Sequence, residues 1–215
     1  MLIVLDVNET LLDLAALDPV FERHTGRAGT RRAWFDLVIR SALVSAATGR
    51  YEDFGALAAG AARTFVEPDA GDALVADLGP AMRRLEAHDD VVPALTAWHQ
   101  AGHRLVVLAN SPLAVVTAQL EHAGIDSHVD AIVSAEQAGA LKPSPAAYLH
   151  VLRQEGVDAA DATLVAAHDW DVAGAQSVGM AAVHVDRGLA EPLPSWPAPD
   201  RVRDLGDVSW DAVDR

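Results

Sequence analysis

The 215-residue chain has no cysteine. That excludes a disulfide framework, a thiolate nucleophile and a thiolate-held metal. It is also nearly without lysine: of 16 cationic side chains 15 are arginine, and Lys142 stands alone. In a chain that uses arginine everywhere else, the surviving lysine is expected where a compact ammonium with three donors is needed. Cations are scarce altogether, with 31 acidic residues and a formal charge of −15. Such a balance disfavours nucleic acid or an anionic membrane surface as partner, and an anionic substrate has to be drawn in by locally placed cations. No apolar run approaches a bilayer span, and Met1 leads straight into an apolar strand with no room for a signal peptide. The expectation is a soluble, cytoplasmic protein.

With 51% hydrophobic residues the chain can bury a full core. Leu2 to Leu5 is a short branched apolar run, the pattern of a buried parallel strand, and it ends at Asp6. From Leu14 to Leu85 only helical spacing appears, in four stretches: 14–24, 31–47, 54–65 and 73–85. Gly26, Gly29, Gly49, Pro68, Gly71 and Pro80 punctuate them. After Val91 strands and helices alternate: strands at 104–109, 131–134, 163–167 and 181–185, helices at 91–101, 113–123, 144–155 and from 168 to about 179. A surface loop is expected at Leu189 to Asp200, with four prolines, and a terminal helix at Val208 to Val213. This order predicts an α/β protein, a Rossmann-like three-layer sandwich with an inserted all-helical cap. The core is residues 1–13 and 90–215, and the cap is residues 14–89.

In an open α/β sheet, reacting groups gather beyond the carboxyl ends of the strands. Four strand ends here deliver polar groups to one edge: Asp6 with Thr10, Asn110 with Ser111, Lys142 with Pro143, and His168 with Asp169 and Asp171. A strand-end aspartate alone often does no more than cap a turn. The remaining histidines, such as His99 and His103, lack metal-ligand spacing.

Five segments together resemble the haloacid dehalogenase superfamily, and most closely its L-2-haloacid dehalogenase (type II) branch. They are Asp6-Val-Asn-Glu-Thr-Leu-Leu-Asp13, Ile39-Arg-Ser-Ala-Leu43, Leu108-Ala-Asn-Ser-Pro112, Leu141-Lys-Pro-Ser-Pro-Ala-Ala-Tyr148 and Trp170-Asp-Val-Ala-Gly-Ala175. The resemblance implies a HAD-like fold and a homodimer. It makes Asp6 the nucleophile that forms an aspartyl ester, with Thr10 orienting it. Arg40 would face the departing halide or the substrate carboxylate. Asn110 and adjacent backbone amides, with Asn8 and Ser111 nearby, would bind that carboxylate. Lys142 would lie against Asp6, supported by Tyr148. Asp171 would anchor Lys142 and help orient the hydrolytic water, and Trp170 would wall the carbon chain. The division is physically reasonable: a lysine about 4 Å away is worth roughly 4 kcal/mol at an effective dielectric near 20, enough to keep a desolvated carboxylate charged.

The departures are informative. Phosphatases of the superfamily carry aspartate at the positions of Asn8 and Ala167, the first to protonate the leaving alcohol and the second to hold Mg²⁺. Dehalogenases carry Tyr at Asn8, Ser at Ala109 and Ala166, and Asn at His168. With Ala109 a hydroxyl expected on the substrate carboxylate is gone, and Ser111 is its nearest substitute. His168 brings either a stronger base for the water step or a packed supporting role, and Asp169 either orients that imidazole or faces solvent. The expectation is a metal-independent hydrolase without cofactor that removes halide from a short 2-haloacid. Other readings of the same residues are a hydrolase opening a small strained cyclic amino acid, a Mg²⁺-dependent phosphatase, and a non-catalytic carboxylate-binding protein on the same scaffold.

Overall fold

The computed structural model describes residues 1–189 and 191–210. Six strands form one parallel sheet: β1 (Leu2–Leu5), β2 (Arg104–Ala109), β3 (Ala131–Ser134), β4 (Ala162–Ala166), β5 (Ala181–Val185) and β6 (Asp200–Val202). Their order is β3-β2-β1-β4-β5-β6, so β1 lies in the middle and pairs with β2 and β4. All four residues of β1 are buried, as a strand covered on both faces requires. Burial of each is worth about 1.5–3 kcal/mol relative to exposure.

The pleat divides the core in two. Ile3, Leu5 and Val107 point to the face covered by α5 (Val91–Gln100) and α6 (Leu113–His122), through Leu95, Trp98, Val116 and Leu120. Leu2, Val4, Val106 and Leu108 point to the opposite face. There they meet Val151 and Leu152 of α7 (Pro145–Glu155) and Val172 and Ala175 of α8 (Asp169–Ser177). The result is the three-layer sandwich expected from the alternation of elements.

Between β1 and α5 the described chain is helical: a 3-10 turn at Leu14–Leu17, then α1 (Asp18–Thr25), α2 (Thr30–Thr48), α3 (Phe54–Arg63) and α4 (Gly71–Met82). Gly26 and Gly49, at φ 66° and 67°, close α1 and α2 in the left-handed conformation that a helix end demands. Phe21, Trp34, Phe35, Phe54, Leu74 and Leu78 join these helices to the same apolar cluster as the first sheet face. The chain leaves and re-enters the sheet region side by side, with Leu12 bridged to Ala87 and the Asp13 and His88 amides donating to Glu86 and Leu11 carbonyls at 2.9 and 3.0 Å. Among the described residues no helix is long and apolar enough to cross a membrane.

Two expectations need correction. The proline-rich loop ends one residue early, because Asp200 begins a sixth strand. Its three residues carry no apolar pattern and pair only with β5, as an edge strand can. At the C-terminus, Val208 and Ser209 are irregular, and a 3-10 turn at Leu205–Asp207 precedes them. The rest of the expected terminal helix, beyond Trp210, lies outside the described residues.

Candidate active site

The turn after β1 concentrates polar groups because the Val7 carbonyl accepts three amides, from Thr10, Leu11 and Leu12, at 3.2, 2.8 and 3.0 Å. This folds Asn8, Glu9 and Thr10 back against Asp6. Asp6 itself extends the ladder by one bond, its amide donating to Val165 at 3.1 Å.

Both carboxylate oxygens of Asp6 are taken. Lys142 Nζ donates to Oδ1 at 2.8 Å. The Thr10 hydroxyl donates to Oδ2 at 2.5 Å and accepts from the Ala167 amide at 2.9 Å. His168 Nδ1 lies 3.3 Å from Oδ2. Lys142, 1% exposed, also donates to Asp171 Oδ2 at 2.6 Å. The Tyr148 hydroxyl donates to the other Asp171 oxygen at 2.5 Å. That approach is possible because residue 174 is glycine: a Cβ there would overlap the Tyr148 hydroxyl and lie 2.8 Å from Pro143 Cβ.

Charge follows from these contacts. Burial pushes the Asp6 carboxyl up, but the Lys142 ammonium and the His168 ring outweigh it and hold Asp6 far below the usual carboxylate range. Lys142 is held above its ordinary value, because Asp171 and Asp6 more than offset the cost of burying it. Asp171 goes the other way, pushed up by burial and by Asp6 against the pull of Lys142. Of the two carboxyl groups sharing one ammonium, Asp6 is the one whose ionised form its surroundings favour more strongly. Burial and Asp171 raise Tyr148 well above its usual range, so its hydroxyl stays a donor.

The other site residues fall into place unevenly. Asn110 is spent within the fold: its Oδ1 accepts from the Lys142 amide at 2.7 Å and its Nδ2 donates to the Lys142 carbonyl at 3.3 Å. Asn8 donates to Ser111 Oγ at 3.2 Å and accepts from Gln119 at 3.2 Å. Trp170 stacks on His168 with centroids 5.1 Å apart and 27° between the rings. A narrow cavity of about 10 Å³ sits above Asp6, lined also by Asn8, Asn110, Lys142, His168, Trp170 and the apolar Phe35, Ile39, Phe54 and Ala109. Asp171 is not among its lining residues. Arg40 is exposed and stands farther out, on a mouth of about 200 Å³ shared with Arg32, Asp36, His168, Asp169 and Trp170.

Sequence reasoning passed over Glu9. Its Oε2 lies 3.0 Å from His168 Nε2, and its Oε1 accepts from Arg31 Nη1 at 3.0 Å. The only signal was its place three residues after Asp6. Asp169, considered as the partner of His168, caps the Trp170 amide at 2.8 Å instead. With Asp6 and Glu9 both facing it, His168 is raised to about 9 although burial alone would lower it. In this arrangement it is an imidazolium at neutral pH.

A profile of haloacid dehalogenase-like hydrolases matches residues 1–179. An (S)-2-haloacid dehalogenase of Xanthobacter autotrophicus is 28% identical over 198 residues, 89% of this chain and 77% of that one. The phosphoglycolate phosphatase of Cupriavidus necator is 30% identical over 102 residues, 47% of this chain and 44% of its own. The solved structure of L-2-haloacid dehalogenase from Xanthobacter autotrophicus superposes with a TM-score of 0.85, covering 96% of both chains at 24% identity.

Proposed function

The chain belongs to the haloacid dehalogenase-like hydrolases, and from that premise we propose that it hydrolyses a short 2-haloacid through an ester on Asp6, without a metal. The observation that carries this reading is the state of Asp6: ionised, nearly buried, and aimed at a small cavity with an apolar wall. A carboxylate is a weak nucleophile in water and a better one when desolvated and held in place. Lys142 and Thr10 fix it, and Asp171 with Tyr148 fixes Lys142. Asp6 displaces halide from the substrate's second carbon, and water then attacks the ester carbonyl. Phe35, Phe54 and Trp170 keep bulk water from the displacement. Arg40, unpaired among the described residues, draws the substrate carboxylate or the halide to the mouth. Residues 14–89 form the cap over a core of residues 1–13 and 90–215.

The residues present do not suit Mg²⁺. Asp6 has both oxygens engaged by cationic or hydroxyl donors, Asn8 is committed to Ser111 and Gln119, and Ala167 supplies no side-chain oxygen. A hard divalent cation needs several free oxygens in near-octahedral array. The phosphatase reading therefore gives way to displacement at carbon, although four similar proteins carry phosphatase names.

The experiment is halide release from 2-chloropropionate and fluoroacetate in the presence of a chelator, with mass analysis of the Asp6 peptide during turnover. Halide and an alkylated Asp6 are expected. Retained turnover by Asp6→Asn, or metal-stimulated cleavage of a generic phosphate ester with no halide from either acid, would falsify the proposal.

A further inference from the structure

We propose that Glu9 is a positioning residue that holds the Nε2–H of His168 and leaves Nδ1 facing Asp6, so that esterification of Asp6 itself turns His168 into the base that activates water. The inference rests on Asp6 being the nucleophile and adds how the second step is timed.

The imidazole has little freedom. Its Nε2 lies 3.0 Å from Glu9 and its Nδ1 3.3 Å from Asp6. Its ring lies 5.1 Å from Trp170 and 6.0 Å from Phe35, centroid to centroid. Glu9 is itself braced: Arg31 of α2 donates to it at 3.0 Å, and Asp18 of α1 holds Arg31 at 2.8 Å. The Glu9 backbone sits at φ 64°, a conformation that costs a non-glycine residue about 1 kcal/mol or more. The carboxylate bonds to Arg31 and His168 hold it there. The charged groups around the ring come from every neighbouring element: Asp6 after β1, Glu9 in the next turn, and Lys142 on the far oxygen of Asp6. Asp169 stands on the ring's own helix, and Arg31, Arg32, Asp36 and Arg40 on α2.

Two carboxylates keep the ring protonated while Asp6 is free, against the pull of burial. The carboxylate of Asp6 attacks the substrate carbon, the carbon–halogen pair leaves as halide, and Asp6 becomes an uncharged ester. One of the two anions that held the ring protonated is then gone. The ring releases one proton to solvent, and it is the Nδ1 proton, because anionic Glu9 still accepts from Nε2. A bare Nδ1 lone pair now faces the ester. Water adds to the carbonyl carbon and gives a proton to Nδ1. The adduct collapses, the departing alkoxide takes the adduct's hydroxyl proton, and the hydroxy acid leaves. Asp6 is again a carboxylate and His168 again an imidazolium. Asp171 is an unsuitable base here, since Lys142 and Tyr148 occupy its two oxygens.

The test has two arms. Nitrogen NMR of the His168 ring needs no substrate: wild type is expected to titrate near pH 9, and Asp6→Asn, an uncharged stand-in for the ester, more than about one unit lower. The neutral ring of Asp6→Asn should carry its proton on Nε2, and adding Glu9→Gln should erase that preference. In the second arm, Glu9→Gln with 2-chloropropionate should release about one equivalent of halide in a burst, accumulate alkylated Asp6, and turn over some 10–100-fold more slowly than wild type. A ring that titrates alike in wild type and Asp6→Asn, or a neutral ring protonated on Nδ1, overturns the inference. So does a Glu9→Gln protein that loses the burst as fully as the steady state. If wild type itself releases no halide, the dehalogenase reading fails, and the NMR arm still decides the role of Glu9.

Discussion

The two flanks of Asp6 are built on different plans. On one side Lys142, Asp171 and Tyr148 belong wholly to the sheet region; each is 1% exposed or less, and their bonds run from 2.5 to 2.8 Å. On the other side His168 reaches Glu9 and then Arg31 of α2, a chain of 3.0 Å contacts that crosses to the helical segment, with Arg31 and Glu9 side chains 14% and 10% exposed. The first flank is saturated and holds a charge in place. The second retains some solvent contact and a titratable ring, which is what moving a proton requires. In the proposed mechanism the saturated flank holds the attacking charge and the other flank holds the proton that moves.

The sharpest way to break this contrast is to remove the cation from the saturated flank. Lys142→Met leaves buried Asp171 without a counter-charge and Asp6 with only the His168 ring, a change that typically costs about 3–5 kcal/mol. Thermal unfolding should show that loss, together with the disappearance of activity. A stable Lys142→Met protein with Asp6 still ionised would mean that the flank does not set the charge.

The proton-moving flank predicts a pH signature instead. His168 is raised in the folded protein to about 9 from 6.5, so its contribution to stability is complete below 6.5 and is lost as pH rises through 9. The shift corresponds to about 3 kcal/mol as an order of magnitude, at about 1.4 kcal/mol per unit. Asp6 acts at the other end: its folded pKa is depressed, so its contribution is present above 3.8 and fades as pH falls below that value. Urea unfolding of wild type should therefore weaken between about pH 6 and about pH 10 relative to His168→Asn. Parallel stability profiles for the two proteins would remove the imidazolium from the description.

The same contrast explains what could be read from the chain alone. The strands at 2–5, 104–109, 131–134 and 181–185 have the boundaries their apolar runs imply, because burial on both faces leaves an unmistakable pattern. Asp6 lies at a strand end and Tyr148 and Asp171 in helices the sequence marks, and parallel topology brings them to one edge together with Lys142, which stands in the turn between β3 and α7. Glu9 was opaque because its partner Arg31 lies 22 residues away on a helix whose approach depends on apolar packing through Trp34 and Phe35. β6 was opaque for a related reason: Asp200-Arg-Val202 pairs by backbone alone.

Smaller effects sharpen the comparison. Tyr148→Phe removes the donor to Asp171 Oδ1 and leaves that oxygen buried without its hydroxyl partner, a loss of about 1–3 kcal/mol. It should lower the rate of ester formation, measured by the halide burst, more than the rate of ester hydrolysis. An equal fall in both steps would show that the two flanks are not separable.

The smallest stability effect belongs to Arg40. It is exposed and has no hydrogen-bond or ion-pair partner among the described residues, so Arg40→Met should change stability by no more than about 0.5 kcal/mol. Its effect on turnover is then free of any folding contribution and reports where the guanidinium acts. A residue that gathers the substrate carboxylate at the mouth raises KM and leaves kcat nearly unchanged. One that moves inward to receive the halide lowers kcat, and does so most for fluoride, whose concentrated charge depends most on a positive partner. Steady-state constants for 2-chloropropionate and fluoroacetate separate the two. A rise in KM alone would keep Arg40 outside the cavity during the reaction, with displacement of the halide supported by Lys142, Trp170 and the ring held by Glu9.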